Sequence, residues 1–233
     1  MKTCVVIPTY NEKENVGPLV DALRSAKAAD VEVLFVDDSS PDGTADRIRE
    51  AAAHEPWVHL MVRDAKKGIG SAYRDGFRQA IETLDPDVLV EMDADLQHSP
   101  EALPGLLKAV EGGADVAVAS RYVSGGGIEG WERGRRLVSV GANALARELL
   151  GLSVRDCTSG FRAYRKAVAA KIVEANLPAK GFEFQVATLH LLKGEAKIVE
   201  VPYFFRPRMA GESKLGARDM ARFLLSVLKM SLG

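Results

Sequence analysis

The sequence predicts an α/β fold, in which a doubly wound and mostly parallel sheet carries helices on both faces. In the first half of the chain, short apolar segments alternate with amphipathic segments of about ten to fifteen residues. The chain has 233 residues, of which 47% are hydrophobic and 27% are charged. This length and composition suit one soluble domain with a sizeable core.

The predicted elements follow one another in a regular order. Residues 5–7 form a first strand that Pro8 stops, and residues 11–15 open a helix with apolar residues at core spacing. Thr44 is expected to cap the helix after the second strand. The remaining strands of the first half are predicted over residues 31–36, 59–62, 88–92 and 116–119, with a helix over 103–110.

The rhythm changes after Tyr122. A glycine-rich loop over residues 124–130 precedes a helix that ends near Leu150, with Arg133, Arg135 and Arg136 in front of it. We predict the later elements as a loop and strand over 158–165, helices over 167–175, 184–192 and 220–230, a strand over 197–205 and a loop over 206–214. One domain over residues 1–233 is expected, in three parts that cover residues 1–122, residues 123–216 and a C-terminal apolar helix (217–233).

Two carboxylates, Asp93 and Asp95, follow the apolar run that begins at Val88. Alternation along an extended chain would put both on the same side at the carboxyl end of the strand, where open α/β sheets bind ligands. A hard divalent cation holding a diphosphate would relieve their repulsion, and Gln97 offers a third oxygen. A second interpretation, compatible with the first, is a helix start at residues 99–101.

Polar residues at two other strand ends would share this cleft. Tyr10 is suited to contact a base or ribose, Glu12 to accept ribose hydroxyls and Asp38 to accept N–H groups of a base. Ordinary turn chemistry is the alternative for Asp37, Asp38 and Gly43. The glycine patterns of dinucleotide folds and P-loops are missing from the first loop, so metal and cations would hold the phosphates.

Cations cluster later in the chain, next to loops. Arg121 follows the fifth predicted strand, Arg135 belongs to the arginine group near residue 133, and Arg208 and Lys214 flank residues 211–213. Guanidinium groups match phosphate oxygens, so this set suits a phosphorylated substrate.

Composition and hydropathy exclude several classes. A formal net charge of −1 gives no bulk electrostatic case for nucleic-acid binding, and the two distant cysteines fit a reducing cytosol. No window reaches the about 18 apolar residues that a spanning helix needs. The apolar segment over 220–230 predicts either a core-packing helix or an in-plane helix whose Arg222 and Lys229 meet lipid headgroups.

Several motifs resemble a known family over nearly the whole chain. VIPTYNE (6–12), VDDSSPDGT (36–44) and MDADLQH (92–98) are similar to motifs of inverting glycosyltransferases with the Rossmann-like GT-A fold, in glycosyltransferase family 2. Within that group, SRY (120–122), GAN (141–143), TSGFR (158–162) and GESKLG (211–216) resemble dolichyl-phosphate or polyprenyl-phosphate mannosyltransferases.

The resemblance implies a nucleotide-sugar-binding half over residues 1–122 and an acceptor-binding and closing part over residues 123–216, and it implies roles for individual residues. It implies a metal, Mg²⁺ or Mn²⁺, held by Asp95 and Gln97 near Asp93. Arg121 and Arg135 would grip the acceptor phosphate, and Arg208 with Lys214 would close over the donor. The guanosine of GDP-mannose would be held by Pro8, Tyr10, Glu12, Val36 and Asp38, with Ala94 beside the diphosphate.

The resemblance also implies the reaction and its place in the cell. Mannose would pass from GDP-mannose to a polyprenyl (dolichyl) phosphate with inversion, giving a β-mannosyl phosphoryl lipid. The catalytic set would be Asp95, Arg121, Arg135 and Lys214, with no strong general base, because the acceptor oxygen is already anionic. A protein peripheral on the cytoplasmic face of a membrane is expected, with a small membrane-anchoring subunit as a candidate partner.

Three alternatives remain open at this point. UDP-glucose as donor would keep the fold, because sequence separates guanine-binding from uracil-binding residues poorly. A sugar-nucleotide pyrophosphorylase would require a glycine-rich basic loop after the first strand, which residues 8–12 do not provide. A non-catalytic nucleotide-binding module is the third, since fold alone does not prove activity.

Overall fold

The computed structural model describes residues 1–26, 30–206 and 217–232. Within these ranges, a seven-stranded sheet has the order β3-β2-β1-β4-β7-β5-β8, and β6 pairs separately with β9. Every pairing in the large sheet is parallel except those of β7, which is antiparallel to both neighbours. The strands are β1 Thr3–Thr9, β2 Val31–Asp37, β3 Val58–Val62, β4 Val88–Glu91, β5 Val116–Ser120, β6 Gly127–Ile128, β7 Arg162–Arg165, β8 Ile198–Pro202 and β9 Phe204–Phe205.

Helices cover both faces of the sheet, which confirms the predicted fold class. Alternate residues of β1 enter two separate buried clusters, Cys4 and Val6 in one and Val5 and Ile7 in the other. The first cluster includes side chains of α3, α5, α6, α7 and α8, and the second includes those of α1, α2 and α4. The helices are α1 Lys13–Ala26, α2 Thr44–His54, α3 Ile69–Thr83, α4 Leu103–Glu111, α5 Arg133–Leu150, α6 Lys166–Glu174, α7 Phe184–Leu191 and α8 Ala217–Leu232.

Pro8 does not stop the first strand, contrary to the prediction, because β1 continues to Thr9. Val6 faces β4, since its carbonyl accepts the N–H of Met92 at 3.2 Å. Pro8, two residues later, faces the same side, where β4 has already ended at Glu91. The missing N–H of the proline therefore costs the sheet no hydrogen bond.

Two predicted helix starts are also wrong. Gly43, with φ of 87°, occupies the position before α2, and Thr44 is the first residue of the helix instead of its cap. Arg133 begins α5, so the three arginines lie in its first turn instead of in front of it.

The C-terminal helix packs against α5 and α7. Phe223 and Val227 are buried in this contact, so the core-packing interpretation of this helix is confirmed for one of its faces. Other apolar residues of α5 and α8 stay exposed, namely Leu137, Val138, Val140, Leu145, Leu149, Leu224, Leu225, Leu228 and Leu232. In the described part of the chain, every helix is too short or too polar to cross a bilayer.

Candidate active site

The carboxyl ends of β1, β2 and β4 meet at one edge of the sheet, as the sequence predicted. Thr9 pairs with Asp37 in the β1–β2 register, and the N–H of Asp38 donates to the Thr9 carbonyl at 3.1 Å. The turns after these strands therefore share one edge, which we call the donor edge (residues 8–12, 37–40, 63 and 93–98). Parallel α/β sheets bind ligands at this kind of edge.

Asp37 is a structural residue of the first turn. Its buried carboxylate accepts hydrogen bonds from the Thr9 hydroxyl at 3.0 Å, and from the Ser40 hydroxyl and N–H at 2.6 and 2.9 Å. These bonds engage both oxygens and tie the turn after β2 to the end of β1. Turn chemistry, the alternative that the sequence left open, therefore accounts for Asp37.

Asp38 is paired with a buried arginine that sequence reasoning missed. Arg63 donates from Nε to Asp38 Oδ1 at 2.6 Å, and from Nη1 to Ser71 and Asp75 at 2.8 and 2.9 Å. Only 3% of the Arg63 side chain and 7% of the Asp38 side chain are exposed. Burial raises the pKa of Asp38 above its ordinary value, against the opposing effects of Arg63 and the Lys67 N–H. The one feature of the sequence that could have indicated a role for Arg63 is its position directly after the third strand.

The other nucleotide-side residues surround the start of α1. Glu12 accepts a hydrogen bond from the Asn15 amide at 2.7 Å, while its own N–H donates to the Thr44 hydroxyl at 3.0 Å. Tyr10 lies half-buried, with the ammonium of Lys66 3.9 Å from its ring centroid. Val36 is buried within the sheet, and the half-buried Pro8 lies opposite it in the β1–β2 register.

Asp93 and Asp95 reach the donor edge through a turn and not through an extended strand, which corrects the alternation argument. β4 ends at Glu91, and Leu96 has φ of 61°. Asp95 Oδ1 accepts the N–H of Gln97 at 3.1 Å, a bond that closes the turn. Asp93 accepts a hydrogen bond from Tyr73 at 2.9 Å. Ala94, Asp95 and Gln97 are buried, whereas Asp93 is half-buried.

His98 fixes the same turn from within. Its Nδ1 accepts the Asp93 N–H at 2.9 Å, and its buried ring stacks on Phe161 with centroids 5.3 Å apart. Because Nδ1 acts as an acceptor here, the ring is neutral with its proton on Nε2. This geometry agrees with the prediction that His98 is a neighbour of the site and not its base.

The oxygen donors of this turn fit a hard divalent cation. Asp93, Asp95 and Gln97 supply two carboxylates and an amide oxygen, which is the donor chemistry of Mg²⁺ and Mn²⁺ sites. Among the residues that the structure describes, His, Cys, Asp and Glu side chains form no preassembled group of three.

A cavity extends from this turn toward α5 and α8. Its polar lining includes Asp93 and Gln97 from this turn, together with Arg121, Arg135 and Ser139. The cavity has mostly apolar walls elsewhere, formed by residues that include Ile69, Val138, Ala142, Phe182 and Phe223. Oxygen donors and arginines that are far apart in sequence therefore border one space.

Arg121 is held in place by an acid that the sequence did not single out. Its Nε and Nη2 donate to the two oxygens of the buried Asp156 at 2.7 and 2.6 Å, and Nη2 also donates to Thr158 at 2.8 Å. These bonds do not use Nη1. Asp156 lies 35 residues from Arg121 along the chain, so no local pattern predicts the pair.

Arg135 and Ser139 project from the first two turns of α5. The guanidinium carbon of Arg135 lies 4.2 Å from the ring centroid of Trp131, and the Ser139 hydroxyl accepts a hydrogen bond from Tyr122 at 2.8 Å. The sequence prediction included Arg135 but omitted Ser139 and Trp131. Arg208 and Lys214, also predicted for this site, lie outside the described residues.

Comparisons with known proteins agree with this arrangement. Residues 4–173 match the family described as Glycosyl transferase family 2. The chain is 41% identical to the polyprenol monophosphomannose synthase of Mycolicibacterium smegmatis, over 99% of this chain and 87% of the relative. It is 41% identical to the undecaprenyl-phosphate mannosyltransferase of Micrococcus luteus, over 100% of this chain and 95% of that protein. It is also 40% identical to the dolichol-phosphate mannosyltransferase of Pyrococcus furiosus, over 99% of this chain and 64% of that protein.

Solved structures support the fold. A structure of glucosyl-3-phosphoglycerate synthase from Mycobacterium tuberculosis, in complex with Mn²⁺, UDP-glucose and glycerol 3-phosphate, superposes with a TM-score of 0.69 at 19% identity. That match covers 99% of this chain and 80% of the other. With the family match over residues 4–173 and relatives at 40 to 41% identity, the chain belongs to glycosyltransferase family 2.

Proposed function

We propose that this protein transfers mannose from GDP-mannose to a polyprenyl monophosphate with inversion, giving a β-mannosyl phosphoryl lipid and GDP. One observation carries the proposal: metal-type oxygen donors, arginines and apolar side chains all line one cavity. A diphosphate donor, an anionic acceptor and an isoprenoid chain match these three surfaces. The activities for which the relatives are named support a mannosyl donor and a polyprenyl-phosphate acceptor.

On the donor side, Asp95, Gln97 and Asp93 would hold Mg²⁺ or Mn²⁺, with Ala94 beside the diphosphate. When bound, the cation supplies charge stabilisation for the departing diphosphate. Tyr10, Glu12 and the Asp38–Arg63 pair would receive the base and ribose, with Pro8 and Val36 forming the floor. Arg208 and Lys214 would close over the donor.

On the acceptor side, the phosphate oxygen carries its negative charge at neutral pH, so no side chain has to remove a proton. Arg121 and Arg135 would orient that oxygen behind the anomeric carbon. A new bond forms from the phosphate oxygen to this carbon, and the bond from the carbon to the diphosphate oxygen breaks with its electron pair leaving on GDP. Attack opposite the leaving group inverts the anomeric centre.

The acceptor is a membrane lipid, and we propose that the protein docks peripherally on the cytoplasmic face of a membrane through α5 and α8. Leu137 is 72% exposed, Leu225 is 58% exposed and Leu232 is 89% exposed. Arg222 and Lys229 on α8 would meet anionic headgroups. A small membrane subunit could replace or add to this contact, so vesicle flotation of the protein alone would test whether the two helices suffice.

The transfer reaction itself is tested with purified protein, Mn²⁺ or Mg²⁺ and a polyprenyl monophosphate. Labelled GDP-mannose should give a labelled lipid, whereas UDP-glucose should give little. The matching polyprenyl alcohol is the control acceptor, because it has the apolar chain without the anion. If only UDP-glucose gives a labelled lipid, the sugar donor is UDP-glucose and not GDP-mannose. If neither donor gives a labelled lipid, the proposal is wrong.

A further inference from the structure

Trp131 lies where the two acceptor arginines meet. The guanidinium carbon of Arg135 is 4.2 Å from the Trp131 ring centroid, and that of Arg121 is 5.5 Å from it. Both distances fall within the range of cation–π attraction, which is strongest for tryptophan among the aromatic side chains. The indole also lines the cavity, beside both arginines.

The ring is fixed from the side of β9. Phe205 meets it edge-on, with centroids 5.3 Å apart and an interplanar angle of 75°. Phe205 is itself buried and pairs with Ile128 in the β6–β9 register, three residues before Trp131. Backbone pairing and aromatic packing therefore set the position of the indole independently of the arginines.

The indole N–H gives Trp131 no evident stabilising role. Among the described residues, Nε1 is closed to solvent and has no hydrogen-bond partner. A buried donor without a partner destabilises a fold, and phenylalanine would avoid that penalty. What tryptophan supplies beyond phenylalanine here is a larger and more negative ring face for the two cations.

We infer that Trp131 is a positioning residue for acceptor binding: its ring attracts the guanidinium groups of both Arg121 and Arg135 and holds them beside the cavity that receives the acceptor phosphate. The two like charges repel each other, and their attraction to the shared ring offsets part of that repulsion. Arg135 lies closer to the ring than Arg121 does, and Asp156 holds Arg121 as well, so loss of the ring should affect the position of Arg135 more than that of Arg121. This inference rests on the proposed function, because the phosphate is that of the acceptor lipid.

The test compares Trp131→Phe and Trp131→Leu with wild type in the transfer assay. We expect the KM for polyprenyl phosphate to rise about threefold in the phenylalanine variant and about tenfold in the leucine variant. The KM for GDP-mannose and the affinity for GDP with Mn²⁺ should not change. The melting temperature of Trp131→Phe should equal or exceed that of wild type, because an unpaired buried donor has been removed.

The matched control is Trp57→Phe, since Trp57 is buried away from the cavity and its indole N–H is bonded to Glu55. This variant should keep the wild-type KM for polyprenyl phosphate. It also leaves Trp131 as the one tryptophan of the chain, because the sequence has two. Titration of Trp57→Phe with farnesyl phosphate should then change the Trp131 fluorescence, and the change should reach saturation.

Three outcomes would overturn the inference: an unchanged acceptor KM in both Trp131 variants, KM values for both substrates that rise together with a falling melting temperature, or no fluorescence response to farnesyl phosphate. The proposed function fails separately, if wild-type protein makes no mannosyl lipid. The fluorescence titration distinguishes the two failures, because it reports phosphate binding near Trp131 without any transfer.

Discussion

The two sides of the proposed site are built in different ways. At the donor edge, charged groups are buried and hydrogen-bonded within the fold, as Asp37, Asp38 and Arg63 show. On the other side, which we call the acceptor wall (Arg121, Trp131, Arg135, Ser139, α5 and α8), the buried Asp156 holds Arg121, whose side chain is 8% exposed, whereas Arg135 and several leucines are exposed. A rigid polar edge suits a soluble nucleotide sugar of fixed shape, whereas an open apolar wall suits a lipid that arrives from a membrane.

Arginine serves two different purposes in these two regions. Arg63 is 3% exposed and joins the end of β3 to the turn after β2, through Asp38, and to α3, through Ser71 and Asp75. Arg135 is exposed, with its guanidinium over the Trp131 ring. Arg63 should therefore matter first for folding and Arg135 first for binding.

The largest effect is expected at the donor edge, from Asp95→Asn. Loss of one carboxylate charge from the cation site should lower kcat about 100- to 1,000-fold, because charge on the leaving diphosphate is no longer balanced. The melting temperature should stay near that of wild type, since asparagine can still accept the Gln97 N–H. Steady-state transfer assays with Mn²⁺ measure the loss.

Asp46→Asn, on the exposed face of α2, is the control for Asp95→Asn. It should leave kcat unchanged. Wild-type turnover by the Asp95 variant would show that the cation is held elsewhere. The proposal that the donor edge binds the cation needed for transfer would then be wrong.

The second largest effect is on stability, from Arg63→Met. This change leaves the buried Asp38 without its partner and removes the tie to Asp75. Breaking a buried ion pair by removing one member typically costs about 3–5 kcal/mol of unfolding free energy. Urea denaturation followed by circular dichroism would measure it.

Arg78→Met offers a matched control for Arg63→Met, because Arg78 also pairs with Asp75 but is 46% exposed. We expect it to cost less than about 1 kcal/mol. Equal losses in the two variants would contradict the view that burial makes the donor edge rigid.

The third effect belongs to the acceptor wall. Arg135→Met should raise the KM for polyprenyl phosphate about tenfold, through loss of one charge-assisted hydrogen bond to the phosphate. The free energy of unfolding should change little, because the side chain is exposed. Its neighbour Arg136, also exposed in the first turn of α5, provides the control Arg136→Met. If Arg135→Met unfolds the protein as Arg63→Met should, the contrast between the two regions is wrong.

The donor edge was largely predictable from sequence. Apolar runs that end in polar residues mark strand ends, and parallel pairing brings those ends together whatever lies between them. This logic placed Asp38, Asp93 and Gln97 at one edge without any knowledge of distances. It gave the wrong local geometry for Asp95, because a short-range hydrogen bond to Gln97 closes a turn where an extended chain was expected.

The acceptor wall was less predictable, because its contacts join segments that are far apart in the chain. Arg121 depends on Asp156, and Trp131 depends on Phe205. β7 lies between β4 and β5 and is antiparallel to both, and this position brings the segment around residue 158 to the cavity. No local sequence pattern predicts this position of β7. The arginines could be predicted by residue type, and the residues that position them could not.

The smallest effect compares the two regions through their buried thiols. Burial raises the pKa of Cys4, in β1, from an ordinary value of 9.0 to about 12, and it raises the pKa of Cys157, beside the acceptor wall, to about 12 as well. Between pH 9 and 10 the unfolded chain loses these protons while the folded protein keeps them. Folding stability must therefore fall as pH rises through this window, by about 1 kcal/mol for each thiol.

Cys4→Ala and Cys157→Ala should each lose stability less steeply than wild type between pH 9 and 10, and by equal amounts. The buried tyrosines, whose pKa values are also raised, add the same slope to every variant. Urea unfolding at pH 8, 9 and 10 measures the three slopes. If Cys157→Ala keeps the wild-type slope while Cys4→Ala does not, the Cys157 thiol ionises in the native protein. The segment that carries Thr158 would then open locally. The acceptor wall would in that case be locally unstable in its buried layer, in addition to being exposed at its surface.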